Sequence, residues 1–100
     1  MKAYRLVKAQ YADSAFRGGR GRGRWNPPGI PLVYAADQPA TALLETLVHV
    51  GDPSLLEIRY VLFVLTMDDE RVQTLSSEKL PKNWRQWPWP TSTQRLGEAW

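Results

Sequence analysis

Cysteine is absent from the 100 residues of this chain, and histidine occurs only once, at His49. Without cysteine, the chain has neither a disulfide framework nor a thiolate metal site. A zinc site would have to complete its ligand set with carboxylates alone beside the single imidazole, which is unusual. The chain is therefore expected to work without a metal ion.

Long apolar runs are also absent. The longest run, residues 61–65, is far too short to cross a bilayer. The residues that follow Met1 lack the apolar stretch of a secretory signal peptide. These absences predict a cytoplasmic protein with no membrane association.

Positive charge is concentrated at one end of the chain. Residues 1–24 carry seven basic side chains and one acidic one (local charge +6), whereas the rest carries six basic and nine acidic ones (local charge −3). This asymmetry indicates an anionic partner for the first segment, and a solvated basic surface is the alternative. Hydrophobic residues at 43% and charged residues at 23% are typical of a globular chain, and this length suffices for one small domain.

Arginines alternate with glycines in residues 19–29, and the alternation ends at Arg24 before a Trp-Asn-Pro-Pro-Gly corner. The planar fork of arginine suits phosphate or carboxylate, and Gly29 permits a turn after the two prolines. The segment fits a pocket for a phosphorylated small molecule or an arginine-rich patch for nucleic acid. It is not a dinucleotide fingerprint, because no strand immediately precedes it and no helix opens on it.

Strand-like patterns occur in four segments, residues 3–7, 32–36, 56–67 and 72–75. In the first, Tyr4 and Leu6 lie on one face and Arg5 on the other. The second is expected to be a buried strand. The third is apolar on both faces in its second half, which predicts a central strand with a layer on each side.

Two helices are expected, over residues 39–50 and 91–100. For the first, Asp37 is the expected N-cap, Pro39 lies in the first turn and Gly51 ends the helix. Its apolar face comprises Ala40, Leu43, Leu44, Leu47 and Val48. For the second, Thr91 and Gln94 have the spacing of a capping box. The irregular residues 79–90 hold three tryptophans, interpreted as indoles that cover a hydrophobic edge.

Arg24, Tyr34 and Glu45 are the candidates for an active constellation. An arginine, an aromatic ring and a carboxylate suit a substrate that has phosphates, a planar base and a developing positive charge. Cleavage of a nicotinamide–ribose bond has these features, because its transition state resembles an oxocarbenium ion. The alternatives are a core tyrosine at Tyr34 and a surface carboxylate at Glu45. A Ser-His-Asp or nucleophile-elbow pattern is absent.

Several separated blocks together resemble the RES domain family. They are Tyr4-Arg5-Leu6, Gly23-Arg24-Trp25-Asn26, Gly29, Leu32-Val33-Tyr34, Ala42-Leu43-Leu44-Glu45 and His49. The resemblance implies a bacterial toxin of a type II toxin–antitoxin module, paired with an Xre/MbcA/ParS-type antitoxin. It also implies a fold related to ADP-ribosyltransferases and destruction of cellular NAD, with water or inorganic phosphate as the acceptor.

The resemblance also assigns residues to roles. Arg24, Tyr34 and Glu45 take the family's catalytic positions, and no metal is implied. The expected NAD-binding positions are Arg5, Gly23, Trp25 and Asn26. The chain is expected to oligomerise in the toxin–antitoxin complex and to meet nucleic acid only through the antitoxin.

One part of the family pattern is missing. The family's Val-Pro-Ser block follows a Gly-x-x-Trp such as that of residues 97–100, after which this sequence has no further residues. The expectation is therefore one RES-like domain over residues 1–100, equivalent to the N-terminal two-thirds of the family domain. Its expected fold is α+β, with a mixed sheet, flanking helices and an incomplete C-terminal part. The alternatives are a catalytically dead fragment that binds the antitoxin and an Arg-Gly nucleic-acid-binding module.

Overall fold

Strand β1 (Lys2–Lys8) and strand β2 (Tyr60–Thr66) form an antiparallel pair in this computed structural model, which describes residues 1–18, 21–48, 54 and 57–100. Helix α1 covers Pro39–Val48 and helix α2 covers Thr91–Ala99. Short 3-10 helices occupy Ala9–Ser14, Asp69–Arg71 and Ser77–Lys79. The architecture is therefore α+β. No helix within these ranges is long and apolar enough to cross a membrane.

The chain divides into two compact units. Unit 1 comprises Met1–Phe16 and Tyr34–Val72, and unit 2 comprises Arg17–Val33 and Gln73–Trp100. Unit 1 contains both strands and α1, whereas unit 2 contains the described part of the arginine–glycine segment, the tryptophan-rich segment and α2.

The predicted strand over residues 3–7 is confirmed as β1. Its register pairs Ala3 with Leu65 and Arg5 with Phe63, so these four side chains share one face of the sheet. Ala3 is 6% exposed, and the Phe63 ring packs edge-to-face on that of Phe16 at 4.9 Å. Arg5 therefore lies on the covered face of the pair.

The strand predicted over residues 56–67 is found as β2 over the shorter range Tyr60–Thr66, and the described residues do not provide the layer expected on each of its faces. Leu62 and Val64 are 45% and 56% exposed, so the described residues cover only the opposite face of this strand. The sheet in the described ranges is two-stranded and antiparallel rather than mixed. The apolar pattern showed that both faces avoid polar residues, but such a pattern does not specify what packs on each face.

Residues 32–36 do not form the buried strand that was predicted. Only Ala36 pairs with β1, through two backbone hydrogen bonds with Tyr4 of 2.7 and 2.8 Å. Tyr34 is 40% exposed, and its carbonyl accepts a hydrogen bond from the Arg5 side chain instead of from a neighbouring strand. Residues 72–75 are likewise irregular, although a short strand was predicted there.

Helix α1 begins at Pro39, as predicted, but its N-cap is Gln38 rather than Asp37. The Gln38 carbonyl accepts the first intrahelical bond, from the Ala42 amide at 3.2 Å. The predicted end, at Val50 and Gly51, lies outside the described residues, as does His49.

The expected apolar face of α1 is not its buried face. Four of its leucine and valine side chains are 41–72% exposed, namely Leu43, Leu44, Leu47 and Val48. The buried residue is Ala42, at 8% exposure, and half-buried Thr46 follows one turn later. Helical spacing identified an apolar stripe, but here small side chains on another face let the helix approach β1.

Helix α2 is confirmed over Thr91–Ala99, but the capping box is not formed. The N-cap is Pro90 rather than Thr91, so the N3 position of a capping box falls on Thr93 and not on Gln94. The fully buried Thr93 hydroxyl instead donates to the Pro90 carbonyl at 3.0 Å. The side chain of Gln94 is therefore available for a contact elsewhere in unit 2.

The tryptophan-rich segment is irregular, as predicted. Trp87 and Trp89 pack edge-to-face at 4.9 Å, and the guanidinium of Arg85 lies 4.7 Å from the Trp84 ring centroid. Trp84 and Trp89 are half-buried, but Trp87 is 69% exposed. Two of the three indoles are therefore partly covered, as a role at a hydrophobic edge requires, whereas the third is exposed.

Candidate active site

Arg24 and Trp25 occupy the two central positions of a tight turn in unit 2. The turn is closed by the Gly23 amide, which donates to the Asn26 carbonyl at 3.0 Å. Gly29 has a φ of +87°, a conformation that glycine adopts without strain, so the predicted turn at this position is confirmed.

The buried side chain of Asn26 stabilises the backbone on both sides of the Pro27-Pro28-Gly29 corner. Its side chain is 2% exposed, and Nδ2 donates to the carbonyls of Gly21 at 2.9 Å and Ile30 at 3.0 Å. These two acceptors lie on either side of the Pro27-Pro28-Gly29 corner. Asn26 therefore supports the loop through backbone carbonyls.

The guanidinium of Arg24 is anchored on one side. Nη1 donates to the carbonyls of Trp84 and of Gln86, the latter at 3.1 Å. Nε and Nη2 make no hydrogen bond to any residue that the structure describes. Because a guanidinium is planar, two acceptors on Nη1 orient the whole group and leave the remaining donors for a ligand.

Helix α2 contacts the same turn through two residues that sequence reasoning did not select. Gln94 Nε2 donates to the Gly23 carbonyl at 3.1 Å. Gly97 lies so close to Trp25 that an added Cβ would be 1.6 Å from its carbonyl oxygen. One signal was available, because a glycine inside a helix is unfavourable and often marks a close backbone approach.

In unit 1, Arg5 joins two separate parts of the chain. Nε donates to the Ala15 carbonyl at 2.7 Å, and Nη1 donates to the Tyr34 carbonyl at 2.8 Å. Burial lowers the pKa of Arg5 from its ordinary value, and the group remains a cation because an arginine pKa is so high. Arg5 thus fixes the backbone at Tyr34, one of the proposed catalytic positions.

Replacing Arg5 with lysine is expected to lower the free energy of unfolding by about 1–2 kcal/mol, since an ammonium cannot reproduce both bonds of the planar fork. Urea denaturation followed by circular dichroism measures this loss. The same exchange at the exposed Arg71 is the control and should change stability by less than about 0.5 kcal/mol. Equal effects at the two positions would contradict the role assigned to Arg5.

Tyr34 and Glu45 both present accessible side chains in unit 1. Tyr34 is 40% exposed, so its ring is not the core tyrosine of the alternative interpretation. Glu45 is exposed on α1. An exposed ring can stack on a planar base, and an exposed carboxylate can face a developing cation.

The seven candidate residues are divided between the two units. Unit 1 brings Arg5 and Tyr34 together and also contains Glu45. Unit 2 brings together Gly23, Arg24, Trp25 and Asn26. In the described part of the chain, no three histidine, aspartate or glutamate side chains are grouped in a way that could hold a metal ion.

Comparison with known proteins places both units in one family. The RES domain model matches residues 2–100. A Toxin Res of Yersinia enterocolitica is 36% identical over all of this chain and 67% of its own length. A Toxin Res of Photorhabdus laumondii is 35% identical over all of this chain and 65% of its own length. A Prs ADP-ribosylating toxin of a Sphingobium species is 32% identical over 78% of this chain and 50% of its own length.

The chain thus spans about two thirds of the length of the two Toxin Res proteins and half that of the Sphingobium protein. The family match extends over the Arg24 turn and α2 in unit 2 as well as over β1 and α1 in unit 1. On this evidence the chain belongs to the RES domain family.

Proposed function

We propose that the protein is a toxin that destroys NAD by breaking its nicotinamide–ribose bond. The observation that carries the proposal is the similarity of the whole chain to proteins named as toxins, one of which is named as ADP-ribosylating. Transfer of ADP-ribose draws on NAD and releases nicotinamide, so the same bond is broken in either case.

Arg24 supplies the phosphate-binding group in this proposal. Its Nη1 atom donates to two backbone carbonyls, whereas Nε and Nη2, which bond to no residue in the described ranges, can form charge-assisted hydrogen bonds with a diphosphate. A guanidinium that is already oriented loses less conformational entropy when the substrate binds than a freely rotating one.

Tyr34 and Glu45 act on the other parts of the substrate. The Tyr34 ring stacks on a base, and the Glu45 carboxylate stabilises the positive charge that appears on the ribose. As the C1′–N bond breaks, its electron pair leaves with neutral nicotinamide, and ribose acquires oxocarbenium character. Attack by water then gives ADP-ribose and a proton, whereas attack by inorganic phosphate gives ADP-ribose phosphorylated at C1′.

The proposal extends to the cellular setting. We propose that the protein has an ADP-ribosyltransferase-like fold and acts in the cytoplasm. We also propose that an Xre/MbcA/ParS-type antitoxin controls it and that the two proteins form an oligomeric complex. The high local charge of residues 1–24 then serves an anionic substrate, and nucleic acid is reached only through the antitoxin.

A second candidate function is ADP-ribosylation of a macromolecule, which the name of the Sphingobium relative favours. The two functions share the bond that breaks and differ in the nucleophile that attacks C1′. A side chain of the acceptor replaces water or phosphate, and the ADP-ribose group stays on that acceptor.

Nicotinamide release from NAD tests both functions. The purified protein is incubated with NAD, with and without inorganic phosphate, and the products are identified by mass spectrometry. We expect free nicotinamide with ADP-ribose or its phosphate. In a further reaction with added bacterial lysate, ADP-ribose attached to lysate proteins in place of these products would favour the second function. An Arg24→Ala/Glu45→Ala double variant controls for contaminating enzymes. No nicotinamide release under any of these conditions would refute both functions.

A further inference from the structure

We propose that helix α2 positions the Arg24 guanidinium, with Gln94 and Gly97 as positioning residues. This inference rests on the proposed role of Arg24 in holding the NAD diphosphate. It is carried by three sets of contacts within unit 2, which together fix the backbone on both sides of Arg24 and the guanidinium itself.

The first contact fixes the peptide plane that enters Arg24. The Gly23 carbonyl and the Arg24 amide belong to one planar peptide unit. Gln94, at 8% exposure, donates Nε2 to that carbonyl at 3.1 Å from a point 71 residues further along the chain. Because the bond is partly buried, removing its donor leaves an incompletely solvated carbonyl without its partner.

The second contact fixes the peptide plane that follows Trp25. Gly97 lies three residues after Gln94 and therefore on the same face of α2. A Cβ at Gly97 would be 1.6 Å from the Trp25 carbonyl oxygen and 2.6 Å from its carbon. Only a glycine lets the helix come this close, so the turn residues Arg24 and Trp25 are held between two contacts with one helix face.

The third contact holds the side chain. Arg24 Nη1 bonds to the carbonyls of Trp84 and Gln86, and the same segment leads into α2 through Pro90. With both peptide planes and Nη1 restrained, Nε and Nη2 have one preferred direction. Such preorganisation strengthens ligand binding because less freedom is lost on association.

A Gln94→Met variant tests the inference, because methionine has a similar length and no donor. Gln10→Met, at an exposed position in unit 1, is the matched control. In ligand-free protein, the nuclear magnetic resonance signal of the Arg24 Nε–H, assigned by its loss in Arg24→Lys, should shift or broaden in Gln94→Met alone. Affinity for ADP-ribose, measured by calorimetry, should fall about tenfold.

A double-mutant cycle separates positioning from general stability. In an Arg24→Lys background, Gln94→Met should weaken ADP-ribose binding less than about twofold, since its effect acts through Arg24. Gln94→Glu, which retains the length but not the donor, replaces Gln94→Met if circular dichroism shows the latter to be unfolded.

The outcomes separate the two proposals. An unchanged Arg24 signal, or an equal loss of affinity in both backgrounds, would overturn the positioning role. A perturbed Arg24 signal in a protein whose unmodified form does not bind ADP-ribose would refute the proposed diphosphate-binding role of Arg24 and support the positioning role. A perturbed signal together with a loss of affinity that requires Arg24 would support both.

Discussion

Replacing Gly97 with alanine is expected to destabilise unit 2 by about 2–4 kcal/mol, although alanine is the better helix former by about 1 kcal/mol. The added Cβ would lie 1.6 Å from the Trp25 carbonyl oxygen and 2.6 Å from its carbon. Both atoms belong to the backbone, so neither can rotate away as the end of a side chain could. Either α2 moves outward and loses the Gln94 bond, or the Arg24 turn deforms.

Tryptophan fluorescence during urea denaturation measures this change, since all five tryptophans lie in unit 2. Gly21→Ala is the matched control, because no atom lies within 4 Å of a Cβ built at that position. Its effect should stay within about 0.5 kcal/mol. A Gly97→Ala protein as stable as the unmodified one would show that α2 does not approach Trp25 this closely.

The secondary structure was predictable where local chemistry determines it. Pro39 marked the first turn of α1, and alternation of apolar and polar residues marked β1. These signals act over a few residues, as do the fixed φ of proline and the two-residue repeat of a strand. The strand predicted over residues 32–36 does not form because a strand requires a neighbouring strand along its length, and Ala36 pairs with Tyr4 only at an isolated bridge.

Burial was less predictable than secondary structure. The apolar stripe of α1 was correctly located by its spacing, yet Leu44 and Val48 are exposed and Ala42 is buried. The same holds for β2, where the apolar residues Leu62 and Val64 lie on the exposed face of the strand. Periodicity reports which residues share a face, whereas burial depends on which other segment reaches that face.

The candidate site was predictable only where it depends on local turn chemistry. Turn chemistry after Gly23 indicated that Arg24 would be well defined, and its position in a closed turn agrees with that indication. Its anchors at Trp84 and Gln86 could not be predicted, because backbone carbonyls have no sequence signature. Arg5 was selected as an NAD-binding position, but the hydrogen bonds from its side chain to distant backbone carbonyls are visible only in the fold.

Glu45→Gln is expected to lower kcat for nicotinamide release by about 10²–10³ and to leave KM nearly unchanged. Glutamine retains the shape of the side chain and removes its charge. The positive charge on the ribose is small in bound NAD and large in the transition state, so the carboxylate interacts mainly with the latter. Loss of an interaction that forms only in the transition state slows the chemical step without weakening substrate binding.

Glu78→Gln makes the same change of charge at an exposed position of the Ser77–Lys79 helix and should alter kcat less than about twofold. The pair of variants separates a local effect at the ribose from the general loss of one negative charge. The two kinetic constants separate the roles further, because a carboxylate that merely helps to hold NAD would raise KM and leave kcat unchanged. That result, or equal rates in the two variants, would remove Glu45 from the reacting centre and leave Arg24 and Tyr34 as the groups proposed to contact substrate.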